Sequence, residues 1–188
     1  ADQVAGIILY KKHALGDLAS VARPDDTVVI FFSGHGARLR QGTDETSALV
    51  SFDSKLGSLK NTTLNDVRFI NCKLLGVQFE ECNPFLLSVD FENCVLKLAV
   101  FYKLKLKKTC FRNCNLQETD FSETDLSASM FDNCDMQRAI FFRTNLEKAD
   151  FRTSFNYSID PENNRIKRAR FSRMGVIGLL DKYQINIE

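Results

Sequence analysis

From residue 91 to residue 151 a large apolar side chain falls on every fifth position without a miss. Phe alternates with Leu, and Met stands in once: Phe91, Leu96, Phe101, Leu106, Phe111, Leu116, Phe121, Leu126, Phe131, Met136, Phe141, Leu146, Phe151. Two residues before each sits a mostly small one, such as Cys94, Ala99, Thr119, Thr124 or Ser129, with Leu104 the bulky exception. A period of five fits neither an α-helix at 3.6 residues per turn nor a flat strand at 2. Fixed self-similarity marks a repeat architecture instead. The two inward positions are two apart, as on one face of a strand, and the other three of each five are mostly polar. A chain that turns a corner every five residues closes a square coil after four repeats. The motif Phe-x-Asn-Cys, starting at Phe69, Phe91, Phe111 and Phe131, is then one corner seen on successive coils. The same spacing runs earlier through Leu64, Phe69, Leu74 and Phe79. Two extra residues interrupt it before Phe91, and Pro84, which cannot donate to a ladder, marks the expected bulge.

These repeats resemble the pentapeptide-repeat family, whose consensus is Ala-(Asp/Asn)-Leu-x-x; TNLEKADF and ETDLSASMF carry it most clearly. The resemblance covers about residues 61–171 with seventeen repeats in register. It implies a mainly β fold: a right-handed quadrilateral β-helix with Phe and Leu columns inside. Three segments are expected: a short α/β extension over 1–56, the solenoid over 57–171, and a cap over 172–188. In the cap, Ser172 is expected to start a helix with Met174, Ile177, Leu180 and Tyr183 on one stripe. Ile185 and Ile187 then alternate like an edge strand, and the surplus of apolar residues points to a homodimer through these six side chains.

The ending RFSRMGVIGLLDKYQINIE and the FxxC-rich coils are most similar to Qnr-type gyrase-protection proteins. That likeness implies a non-enzymatic bacterial, cytoplasmic protein that mimics duplex DNA on DNA gyrase and topoisomerase IV, countering quinolones or gyrase-directed toxins. The candidate contacts are the six acids between residues 113 and 137, a stretch without a base: Glu118, Asp120, Glu123, Asp125, Asp132 and Asp135. Folding the line at 20 residues places basic neighbours above and below, as in Lys103, Glu123, Arg143 and in Glu92, Arg112, Asp132, Arg152. From residue 57 on there are 19 Lys/Arg against 17 Asp/Glu. A paired charge ladder is therefore as natural a reading as a mimic surface. With that ladder, a scaffold or antitoxin serving another protein partner is the alternative.

The bulk numbers exclude little else. A formal charge of +1 supplies no global field for nucleic acid, so no direct nucleic-acid binding is expected. No apolar run nears the ~20 residues of a membrane span, and no cleavable signal is visible. Six cysteines without such a signal read as reduced thiols. Cys72, Cys94, Cys114 and Cys134 share an inward column, which spreads them along an axis rather than converging on a metal. No cofactor or metal is expected. The neighbouring Asn71, Asn93, Asn113 and Asn133 form an expected amide ladder.

Residues 1–56 do not keep the period. LGDLASVA reads as a helix and TVVIFF as a strand leading into SGHG. That arrangement resembles caspase-like peptidases, in which such a strand presents the catalytic histidine. His35, with Ser33, Gly34 and Gly36 around it, matches the general base. The Asp-x-Cys-like nucleophile turn is missing, and Cys72 is assigned inward by the repeat. Without an activated thiol there is no acyl transfer, so His35 is read as a remnant, and a His35/Cys72 peptidase as the last alternative.

Overall fold

The computed structural model describes residues 6–10, 28–32, 37–41, 44–51, 59, 62 and 64–186. The described residues include eight strands: β1 (Gly6–Tyr10), β2 (Val28–Phe32), β3 (Ala37–Gln41), β4 (Asp44–Ser51), β5 (Val67–Ile70), β6 (Val89–Glu92), β7 (Cys110–Arg112) and β8 (Met130–Asp132). They join in the order β1-β2-β4-β3-β5-β6-β7-β8.

From β5 onward the pairing is parallel and follows the repeat. Phe69 lies beside Phe91, Phe91 beside Phe111, and Phe111 beside Phe131. The first step spans two residues more than the others. Lys73 beside Val95 and Gln78 beside Val100 carry the same excess, whereas Val95 beside Asn115 does not. The insertion therefore lies between Gln78 and Val89, where a 3-10 turn (Phe79–Glu81) and the exposed Phe85 and Leu86 flank Pro84. The other sides of the coil pair through single bridges twenty residues apart, such as Lys105, Asp125, Asn145 and Arg165. From β5 onward the chain is thus a four-sided coil.

Most corners are tight turns closed from the residue three positions on. The Thr124 amide donates to the Phe121 carbonyl at 3.2 Å, and the intervening Glu123 has φ 55°. The left-handed position recurs every five residues from Asn93 to Lys148. Asn tolerates it better than most residues, and one corner holds Asn93, Asn113 and Asn133 there. Leu98 adopts it as well (φ 61°), so the ladder overrides local preference.

Inside, the period becomes packing. Phe91, Phe111 and Phe131 stack with ring centroids 5.1 and 5.0 Å apart. A second stack, Phe79, Phe101, Phe121 and Phe141, meets the first edge-on, as in Phe111 against Phe121 at 5.8 Å and 80°. Offset stacked and edge-to-face contacts are the favoured aromatic geometries. The small inward positions have a separate task. Thr119, Thr124, Ser129 and Thr144 donate their hydroxyls to the carbonyls of Leu96, Phe101, Leu106 and Phe121, one coil below. A side chain must be short and carry a donor to do this inside a core, which explains the Thr, Ser and Cys of the pattern.

TVVIFF is realised as β2, parallel to β4, and β3 pairs antiparallel with both β4 and β5. The expected LGDLASVA helix, His35 with Ser33, Gly34 and Gly36, and Ile187 lie outside the described residues.

The C-terminal cap corrects the expected helix. In its place are two 3-10 turns, Gly175–Leu179 and Asp181–Tyr183, neither with a fully buried residue. Ser172 is not the N-cap of the first, a place taken by Met174, but its hydroxyl accepts the Gly175 amide at 2.9 Å. Gly175 lies against the Tyr157 hydroxyl and Gly178 against the Tyr157 carbonyl, where no Cβ would fit. The Gly178 carbonyl accepts the Ile159 amide. Two glycines weaken α-helix here, and their contacts hold the cap on the last coil. Lys182 bridges Asp160 at 2.8 Å and Glu162 at 2.6 Å, both on that coil.

Phe121 and Leu126 are fully buried mid-stack. Truncating either to Ala is expected to cost about 2–5 kcal/mol, while Ser122→Ala costs under about 0.5 kcal/mol. Urea denaturation of the three variants measures this, and equal costs would contradict the five-residue register.

Candidate interaction surface

The coil has four faces, named by their segments in the coil of residues 89–108: the first is 89–93, the second 94–98, the third 99–103 and the fourth 104–108. Each recurs every twenty residues. Stacked side chains on a face are about 4.8 Å apart.

The six acids do not form a patch. They belong to one circuit of the coil and point out from all four sides: Asp132 on the first face, Glu118 and Asp135 on the second, Asp120 and Glu123 on the third, Asp125 on the fourth. Three of them hold their own turns. Asp120, Asp125 and Asp135 accept the backbone amides of Ser122, Ser127 and Gln137 at 2.8, 3.1 and 3.2 Å. Asn115, Asn145 and Asp150 do the same for Gln117, Glu147 and Arg152. These are Asx turns, and they are why Asp or Asn precedes the large residue in the repeat.

Four of the acids are ion-paired. Lys103 meets Glu123 at 3.6 Å and Arg112 meets Asp132 at 3.6 Å, as the twenty-residue columns predict. Glu118, whose neighbour below is Leu98, pairs diagonally with Lys97 at 3.0 Å, and Asp125 pairs diagonally with Lys107 at 3.3 Å. Asp135 meets no cation among the described residues but accepts from Gln117 at 2.7 Å and Asn156 at 2.9 Å. Partial burial alone would raise its pKa, but these amides and that of Gln137 outweigh it and hold the carboxyl below the usual range. In Asp125 burial is likewise outweighed, here by Ser127 and Lys107.

The amide ladder is present over three of its four expected members: Asn113 donates to Asn93 at 3.1 Å and Asn133 to Asn113 at 2.9 Å, while Asn71 makes no such side-chain bond to Asn93. Cys72, Cys94, Cys114 and Cys134 form the buried column beside it, all as free thiols. Cys94 donates to the Phe69 carbonyl at 3.3 Å and Cys134 to that of Phe111 at 3.4 Å, the same task the threonines perform elsewhere. Cys114 favours the Cys94 thiolate, but Cys72 and burial push the thiol up to about 12. Cys134 acts on Cys114 in the same sense, and Cys94 and burial push it up to about 12. Burial, then Glu80 and Glu81, takes Cys82 to about 12. Cys72 is 2% exposed and its thiol donates to the Ile70 carbonyl at 3.3 Å, a setting that withholds it from any substrate. Among the described residues no group of three His, Cys, Asp or Glu could hold a metal ion, and no helix is long and apolar enough to cross a membrane.

At the C-terminal end an open cleft of about 630 Å³ separates the last coil from the cap, lined by Arg152, Phe155, Asn156, Met174 and Ile177 among others. Met174 is 80% exposed, and Ile177, Tyr183 and Ile185 also face outward; Leu180 is half-buried. Of the six expected dimer residues, the described five thus lie on one end of the rod.

The family model described as pentapeptide repeat region matches residues 86–156. Those residues are a pentapeptide-repeat region. The pentapeptide ladder runs past the match on both sides, from Phe69 beside Phe91 to Phe151 stacked on Phe171 at 5.4 Å. No curated protein matches the chain. Among solved structures, a trypsin-treated form of QnrB1, a plasmid-mediated fluoroquinolone resistance protein, aligns at 18% identity and TM-score 0.45 over 70% of this chain. The alignment covers 63% of that QnrB1 chain, under two thirds of its length. Rfr23, a pentapeptide repeat protein from the cyanobacterium Cyanothece 51142, aligns at 18% identity and TM-score 0.23 over 62% of this chain and 88% of its own. HetL, a pentapeptide repeat protein involved in heterocyst differentiation regulation from Nostoc sp., aligns at 11% identity and TM-score 0.14 over 60% and 87%.

The raised thiols make stability depend on pH. Unfolded thiols lose their protons from about pH 8.5, whereas Cys82, Cys94 and Cys114 hold theirs to about 12 in the fold. Above pH 8.5 the native state therefore binds more protons than the unfolded one, and stability falls with rising pH. Urea midpoints are expected to hold from pH 7 to 8 and to drop progressively from pH 9 to 11. A midpoint flat to pH 11 would contradict the buried thiol column.

Proposed function

We propose that this chain is a non-enzymatic binding protein of the cytoplasm that uses its four-sided rod to dock on a protein partner. The observation that carries this reading is the rod itself, whose outward side chains stand in fixed columns about 4.8 Å apart while five of its six thiols, Cys72 included, are buried, Cys110 being the exception. A rigid surface loses little conformational freedom on binding. Following the resemblance in its repeats, the partner is a type II topoisomerase, DNA gyrase or topoisomerase IV. Carboxylates of the circuit from Glu118 to Asp135 would stand where DNA phosphates bind, so that the protein protects the enzyme from quinolones or toxins. Asp120 and Asp135 would carry the most of this role, because neither is ion-paired among the described residues.

The pairing of the other four acids favours a second reading. A nearly neutral rod serves equally as a scaffold or antitoxin for a different protein, in which case topoisomerase activity is untouched. A supercoiling assay with purified gyrase and ciprofloxacin separates the two. Under the topoisomerase reading, micromolar protein restores supercoiling, and Asp120→Lys with Asp135→Lys reduces that protection at least about tenfold. No protection at 50 μM would leave the scaffold reading.

The exposed apolar end supports a homodimer through Met174, Ile177, Leu180, Tyr183, Ile185 and Ile187, with the adjoining cleft as its seam. Light scattering at 20 μM is expected to give twice the chain mass, and Met174→Glu with Ile177→Lys to give the monomer. A monomeric wild-type chain would refute this.

A further inference from the structure

The coil sorts its charge by face, and the fourth face is unlike the other three. Over its four levels from residue 104 to residue 168 its outward positions hold seven cations against two acids, Asp125 and Glu147. Those acids are each paired, with Lys107 at 3.3 Å and Arg165 at 2.7 Å. Lys105, Lys108, Lys148, Lys167 and Arg168 remain exposed and make no ion pair among the described residues. Lys108, Lys148 and Arg168 stand in a single column, linked by the ladder bonds from Lys108 to Ser127, Ala128 to Glu147 and Lys148 to Lys167. Over those four levels the face carries no exposed large apolar side chain, whereas Met130, Leu98 and Phe142 mark the other three faces within them. The exposed Phe85 and Leu86 of the insertion lie at its lower edge.

We propose that this face binds the phosphate backbone of duplex nucleic acid without regard to sequence. Three properties choose that occupant. A surface of lysines with no apolar centre is the reverse of a protein interface, where Lys is depleted and the core is apolar, and it matches the polar, strongly positive surfaces that meet nucleic acid. Over those four levels the face offers no aromatic ring on which unpaired bases could stack, which is the usual device for single strands, and Phe85 stands only at its edge. Four levels of coil also span about 14 Å, a length over which a duplex carries roughly eight charges. The ladder holds the cations at fixed heights along that length. The +1 net charge of the chain hides this face, because its excess is averaged with acids elsewhere in the sequence. The inference stands apart from the topoisomerase reading, which rests on other side chains and on a protein partner.

Fluorescence anisotropy of a labelled 24-base-pair duplex with the full chain tests it, with no topoisomerase present. At 50 mM salt micromolar binding is expected, with a log–log salt slope of about −3 to −5 for up to five phosphate contacts. Lys148→Glu with Arg168→Glu should weaken binding at least about tenfold. Lys73→Glu with Arg138→Glu, the same change of charge on the opposite second face, should weaken it by less than about threefold. Circular dichroism melts check that both variants are folded. No binding at 100 μM protein, equal losses in the two variants, tighter binding of a 24-nucleotide single strand, or displacement of the duplex by an equal charge of poly-glutamate would each overturn the proposal.

Discussion

Every outward property of this protein depends on the hydrogen bonds that join each residue's backbone to the coil twenty positions on. Because the coil turns at each fifth residue, those bonds run parallel to one axis on all four sides. They impose left-handed backbone at each corner, even on Leu98, and they set the spacing of whatever side chain stands there. Burial of the Phe and Leu columns supplies the apolar driving force. Without the ladder the same side chains would have no register to stack in.

The interior solves a problem that the turns create. A corner carbonyl that closes its own turn still has a lone pair facing the core, and an unsatisfied acceptor there would be costly. Thr and Ser at the small inward position donate to that carbonyl from one coil above, and Cys94 and Cys134 donate likewise to the corner carbonyls of Phe69 and Phe111. The cysteines that look like a reactive cluster on the line are therefore part of the hydrogen-bonding scaffold, as are the Asp residues that close Asx turns. Residue types that suggest chemistry are here consumed by architecture, and what remains for function is the pattern of side chains left over.

That remainder was only partly legible before the fold was known. Reading residues 113–137 as a line suggests an acidic patch, because acids happen to fall on one circuit. The structure sends them to four sides and pairs four of them. The basic fourth face is the opposite case. Lys105, Lys148 and Arg168 are far apart in sequence and separated by acids, so no linear window shows them together. Summing charge at a period of twenty would have brought them out, since that period was already visible in the Phe-x-Asn-Cys motif.

The sequence by itself determined which residues point inward, where two residues interrupt the coil, and that the rod is four-sided. Those properties follow from a one-dimensional period, and burial of a large apolar residue every fifth position leaves one register that satisfies it. Only the tertiary structure decided which charges meet. Lys97 reaches Glu118 and Lys107 reaches Asp125 on the diagonal, a choice made by side-chain length and turn geometry between levels rather than by position in the repeat. It also decided the form of the cap. An apolar stripe at helical spacing became two 3-10 turns, because Gly175 and Gly178 had to pack against Tyr157 to close the last coil, and that contact has no signature in the local sequence.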